Sequence, residues 1–195
     1  MNKPLSKQPL PENAKKVFNG IIFDVYQWEQ LQFDGTVKIF EKLKRDDTAL
    51  IIPILEDGNI LLLEQEQPGK PPFIGFAGGR IDKGEDPLEG AKRELREETG
   101  YEASEWELID AVQPVSKIEW SVYTYVARGC RPFGSQSLDS GERIQFKPIS
   151  FDGLVEIMAR DDFHDKEGML GRFALRALYD PSQREQFRKL LYGME

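Results

Sequence analysis

The stretch from Gly79 to Tyr101, GRIDKGEDPLEGAKRELREETGY, constrains this chain more than any other. Asp86 suits a helix N-cap, with Pro87 at the first helical position and Glu89 three residues after the cap, while Gly100 supplies the stop. At about 100° per residue, Leu88, Ala91 and Leu95 form an apolar stripe, and Gly90, Glu94, Glu97 and Glu98 form the arc beside it. Like charges at these spacings repel by roughly 0.2–0.5 kcal/mol per pair, so the sequence crowds acids next to a buried face and weakens its own helix. Gly90 gives up roughly a further 1 kcal/mol relative to Ala, and it stands one turn before Glu94, clearing space above the carboxylates.

The preceding loop, GGRIDKGE, carries glycines that let it fold back over the helix and bring Glu85 in as a fourth carboxylate. Such an oxygen-rich cluster suits a hard divalent cation, which turns the repulsion into coordination. The competing explanation is a solvated acidic face offset by Arg93–Glu97 and Glu89–Arg93 pairs.

Composition narrows the chemistry further. A net charge of -8 and a pI near 4.9 argue against unaided binding of nucleic acid or an anionic membrane, so a phosphate substrate would need metal ions. The longest apolar run, ALIIPIL at 49–55, falls far short of the roughly 20 residues of a membrane span. The opening MNKPLSKQPLPENAKK has no apolar core, so residues 1–16 read as a mobile arm rather than a secretory signal. A lone cysteine, Cys130, precludes an internal disulfide and fits a reducing cytoplasm. At 195 residues the chain suits one α/β domain.

Residues 17–45 read as an N-terminal β-hairpin turning at Asp34-Gly35. ALIIPIL and ILLLEQ, joined by Glu56–Asn59, are apolar enough for central strands buried on both faces. FIGFAGG precedes the acidic segment; Trp106–Gln113, SVYTYVA and ERIQFKPIS are further strands, with residues 129–142 as a long loop. Ser150 caps a helix through about Arg160, a second helix is spaced over Met169–Leu178, and a short amphipathic one follows from Gln183.

Gly79, Glu85, Arg93, Glu94, Leu95, Glu97, Glu98 and Gly100 stand at the spacing G-x5-E-x7-R-E-U-x-E-E-x-G-U, and in this the segment resembles the Nudix box, departing only at Tyr101. The resemblance implies a Nudix-type α/β/α sandwich with a mixed β-sheet over residues 46–195, C-terminal helices included. It implies Mg2+ or Mn2+ held by Glu94, Glu97 and Glu98, with Glu85 joining or supporting them and Gly79 counted in the same metal shell. Arg93 would orient the carboxylates by pairing. The implied reaction is hydrolysis of a nucleoside diphosphate linked to another moiety.

A hairpin before the domain and a helix after it look like the ADP-ribose and nucleoside-diphosphate-sugar pyrophosphatase branch, whose members are usually dimers built through the N-terminal strands. The expected partners are therefore a nucleotide-sugar substrate, with ADP-ribose first, and a second copy of the chain, with no nucleic acid and no membrane. The chain departs from that branch at Gln65-Glu66-Gln67, where an arginine is frequent, at Gly75, where a glutamate is, and at Pro114, closer to the box than the usual proline. Glu142 in LDSGERI is the expected general base, with Asp139 second. Trp28, with Tyr26 and Phe33, could clamp a base across a dimer interface; Arg80, Glu119 and Trp120 complete the expected substrate contacts. The alternatives are a Nudix hydrolase of dinucleoside polyphosphates or nucleoside triphosphates and a nucleotide-sugar-sensing regulator.

Overall fold

The computed structural model describes Pro4, Ser6 and residues 8–194. Asp34 Oδ1 accepts from the Thr36 backbone and hydroxyl, and Gly35 takes φ +82°, so the chain turns where the sequence indicates and pairs β2 (Asp24–Leu31) with β3 (Val37–Lys44). A third strand, β1 (Lys15–Asn19), pairs with β2, so the unit is wider than a hairpin and takes Lys15 and Lys16 from the expected arm. Of that arm, residues 1–3, 5 and 7 lie outside the described residues. Ser6 and Gln8 accept from Nζ of the buried Lys42, which also pairs with Glu119 at 2.7 Å.

The second apolar pair becomes β4 (Thr48–Leu55) and β5 (Ile60–Glu66), joined by a turn in which Asp57 accepts from the Asn59 backbone. Beyond a link rich in proline and glycine, QPGKPP at 67–72, come β6 (Phe73–Gly75) and β7 (Ala77–Arg80), then helix α1 (Pro87–Thr99), followed by the strands β8 (Tyr101–Glu102), β9 (Glu105–Val112), β10 (Ile118–Glu119), β11 (Val122–Pro132) and β12 (Arg143–Ile149). β4 runs parallel to β11 and antiparallel to β7, and β9 lines the far edge of β11. At its end β4 meets β5, which pairs with β6 and β12. β10 adds to the outer edge of β3 and so joins the N-terminal sheet to the rest.

Alternation along β4 sends Ile51 and Ile52 to opposite faces, which divides the core into two layers. Ile51, Leu61, Leu63 and Tyr125 pack with Ala91 and Leu95 of α1. Ile52, Ile54, Leu62 and Val126 pack with the C-terminal helices α2 (Phe151–Met158), α3 (Gly168–Tyr179) and α4 (Pro181–Tyr192). The result is the expected α/β/α sandwich around mixed strands.

The predicted loop at 129–142 begins later than its composition suggests. Gly129 at φ +63° makes a bulge, after which Arg131 and Pro132 pair with β8, so β11 continues to Pro132. Just before the bulge, the buried Arg128 donates to the Leu190 and Leu191 carbonyls at 2.9 and 2.7 Å and pairs with Glu105 and Glu107. Those carbonyls have no partner within their own helix, so Arg128 caps the end of α4.

Candidate active site

Helix α1 forms with the predicted caps: Asp86 accepts from the Leu88 N–H, and Gly100 closes the helix at φ +69°. Gly90, Ala91, Leu95, Glu98 and Thr99 are buried, so the acidic arc begins at the edge of the core. Arg93 gathers the charges. It bonds Glu85 through Nε and Nη2 at 3.1 Å each, Glu94 and Glu97 through Nη1 at 2.9 Å each, and the Arg80 carbonyl through Nη2 at 2.8 Å. The i,i+4 pair with Glu97 forms as the local alternative requires, whereas Glu89 turns to Lys92 instead.

The loop folds back as its glycines suggest. Glu85 accepts from the Asp82 N–H, and a Cβ on Gly90 would stand 3.0 Å from Glu85, so the missing side chain at 90 admits the loop carboxylate rather than opening space over Glu94. β7 approaches even closer. A Cβ on Gly79 would lie 2.5 Å from a Glu94 carboxylate oxygen, and the Gly78 N–H donates to Glu98 at 2.7 Å.

These placements set the proton affinities. Burial is the main cause that raises Glu94, against the opposing pull of Arg93, and burial raises Glu98 well above the usual carboxylate range, with the charges of Glu94, Glu142 and Asp165 adding to it. Glu85 is lowered, chiefly by its hydrogen bonds from Arg93. Arg93 is raised, chiefly by Glu85, and stays charged. Among the described residues, no three acidic, histidine or cysteine side chains already converge as a closed metal site. Glu85, Glu94 and Glu97 instead share Arg93, and Glu98 has no ion-pair partner among the described residues. An all-oxygen donor set with an unpaired, enclosed carboxylate fits a hard cation.

A cavity of about 690 Å³ opens over this helix. Gly79, Arg80, Arg93, Glu94, Glu97 and Glu98 line it, and so do Asp139 and Glu142 from the loop before β12. Four expected site residues stand elsewhere. Glu85 lies behind Arg93. Trp28 is buried against Phe40, with its indole N–H on Gln30. Glu119 holds Lys42 and Gln113, and Trp120 donates to Thr48.

Sequence reasoning missed Arg45, Asp46, Lys70, Ser137, Ile21 and Ile22, all of which line the cavity. Arg45 is held between Trp120 and Phe23, 4.9 and 5.7 Å from the ring centroids, and its buried Nε has no hydrogen-bond partner among the described residues. The K-R-D-D run at 44–47 is its only trace in the sequence, and a charged run carries no address by itself.

The NUDIX domain family matches residues 44–169. The chain is 32% identical to the ADP compounds hydrolase NudE of Escherichia coli (strain K12), over 90% of this chain and 95% of that protein. It is 29% identical to an ADP-ribose pyrophosphatase of Bacillus subtilis (strain 168), over 77% and 83%, and 25% identical to a methanol dehydrogenase activator of Bacillus methanolicus, over 80% and 86%. A crystal structure of an ADP compounds hydrolase shares the fold, with a TM-score of 0.65 over 98% of both chains at 22% identity. With the acids of its box facing a cavity, this chain belongs to the Nudix family and is a Nudix hydrolase.

Proposed function

We propose that the chain hydrolyses the diphosphate bond of a nucleoside diphosphate linked to a sugar, ADP-ribose first, giving a nucleoside monophosphate and a sugar phosphate. The observation that carries this is the convergence of Glu94, Glu97, Glu98 and Glu142 on one cavity that Arg45 and Lys70 also line. The names of two relatives, an ADP compounds hydrolase and an ADP-ribose pyrophosphatase, favour the same substrate class.

In this reading Glu94, Glu97 and Glu98, with the Gly79 backbone beside them, hold Mg2+ or Mn2+. Such an ion would neutralise phosphate charge and favour ionisation of the attacking water. Arg93 keeps the carboxylates aligned while Glu85 anchors Arg93. Glu142 takes the proton of the attacking water, and Arg45 faces the diphosphate, a fixed cation needing no reorganisation as charge develops.

Residues 17–45, extended by the first two residues of β1, would form the dimer interface. Val17, Phe18, Leu31, Phe33, Val37 and Ile39 are all exposed there, and exposed apolar side chains of this kind favour an association surface. Trp28 and Phe33 would then lie near a subunit boundary. A cytoplasmic location fits the buried, unpaired Cys130 and the lack, among the described residues, of any helix long and apolar enough to cross a membrane.

A panel of ADP-ribose, other ADP-, GDP- and UDP-sugars, dinucleoside polyphosphates and nucleoside triphosphates, compared by kcat/KM with Mg2+ and with Mn2+, tests the assignment. Nucleotide sugars should lead and yield two monophosphates. Triphosphates or dinucleoside polyphosphates ahead by tenfold, about 1.4 kcal/mol in transition-state binding, would overturn it.

A further inference from the structure

Residues 160–166 lie between α2 and α3, outside every expected site, yet they are strapped along β6. The Ile74 N–H donates to the Asp162 carbonyl at 2.8 Å, the His164 N–H donates to the Ile74 carbonyl at 3.0 Å, and Ile74 and Phe163 form a parallel bridge. His164 is exposed but stacks on Phe73 at 4.3 Å, and the buried Phe163 meets Phe76 edge-on at 5.5 Å. Lys166 closes the strap by donating to the Arg160 carbonyl.

The strap delivers one carboxylate inward. Asp165 Oδ2 accepts from the Phe76 N–H at 2.6 Å, in the break between β6 and β7. It enters through a gap in the sequence, since a Cβ on Gly75 would stand 2.6 Å from that same oxygen. The Phe76 carbonyl accepts from the buried Gln65 side chain at 3.3 Å, so Phe76 is held at both ends of the backbone. Two residues on, the Gly78 N–H holds Glu98, and Gly79 gives Glu94 its place. The Asp165 charge is also felt at Glu98.

We propose that Asp165 is a positioning residue for the acidic site: through the opening left by Gly75 it fixes the Phe76 backbone, and thereby the Gly78–Gly79 segment against which Glu98 and Glu94 are set. This rests on the metal site proposed above. Groups that orient ligands in this indirect way typically change metal affinity by roughly 10- to 100-fold when lost.

The test is Mn2+ binding by calorimetry on the folded proteins, alongside kcat and KM for ADP-ribose. Asp165→Ala should weaken Mn2+ by about tenfold and lower kcat more than it raises KM, while Asp165→Asn, which keeps an oxygen for the Phe76 N–H, should recover most of the loss. Gly75→Ala should reproduce the defect by displacing the carboxylate, and should add little to Asp165→Ala, because the two act on one contact. Circular dichroism establishes that each variant is folded. Wild-type Mn2+ affinity in folded Asp165→Ala, an Asn variant no better than Ala, or full additivity with Gly75→Ala would overturn the proposal. Glu97→Gln is the control: were it to bind Mn2+ like the wild type, the metal site itself would fail, and the role of Asp165 with it.

Discussion

Replacing Arg93 with Lys keeps the charge and removes the fork, so it isolates what geometry contributes. Arg93 makes two contacts with Glu85, one with Glu94, one with Glu97 and one with the Arg80 carbonyl. Glu85 and Glu94 are 19% and 13% exposed, so their charge-assisted bonds are only partly screened and contribute about 1 kcal/mol each. Glu97 is 43% exposed and its pair is worth a few tenths. A lysine ammonium can replace one of these partners but cannot span Glu85 and Glu94 together. The expected loss is about 1–1.5 kcal/mol, a fall of roughly 0.5 M in the urea midpoint for a slope near 2–3 kcal/mol/M. Urea unfolding at low salt in EDTA measures it. Repeating the measurement in saturating Mg2+ should shrink the deficit, because the cation then gathers the carboxylates the fork no longer holds. A loss below about 0.5 kcal/mol in EDTA, or one unchanged by Mg2+, would refute the view that Arg93 organises a cluster awaiting a metal.

Glu97→Gln should fold normally and lose at least roughly 100-fold in Mg2+-dependent turnover, given the several kcal/mol a metal supplies to such a transition state; near wild-type turnover would remove it from the metal set. Glu142→Gln should lower kcat by roughly 10^2 to 10^4 at saturating substrate while Asp139→Asn does not, and the reverse pattern would move the base to Asp139. Asp165 is half-buried, but its carboxyl is enclosed, and burial raises it from 3.8 to about 7. Between those values the unfolded chain has lost the proton that the folded chain keeps, so wild-type stability falls as pH rises through that window and levels off above it. Thermal melts in EDTA should therefore show the Asp165→Asn variant gaining on the wild type from pH 4 to 7; a gap that is constant with pH would contradict this.

The acidic helix was readable because its signals are local: a cap, a proline, a stop glycine and acids at fixed spacing all act within a few turns. β4 and β5 were readable because burial on both faces leaves an apolar run. β1 was not, since its residues KKVFN are all exposed and its existence depends on pairing with β2. Continuation of β11 past Gly129 was hidden for a similar reason: a bulge glycine looks the same as a loop glycine until the partner strand is known. Gly90 was read as space above Glu94, but the room it leaves is taken by Glu85 from the preceding loop. Arg45 and Asp165 were illegible because each reaches its place across the fold, one between two aromatic rings and the other through the vacancy at Gly75. Their sequence neighbours carry no record of those partners.

Arg128 makes the far end of α4 answerable to the middle of the sheet. Phe187 and Leu191 are wholly buried among residues contributed by β4 and β5, and the helix carrying them is fastened by a guanidinium on β11. A chain cut before Pro181 would therefore not be a trimmed enzyme with its acidic helix intact. It would uncover the part of one core layer that Phe187 and Leu191 close and leave a buried cation facing no carbonyls, and the loss would be felt at the opposite face, because β4 is shared by both layers. Proteolysis within α4 should accordingly abolish the cooperative melt of the entire molecule rather than shave a step from it.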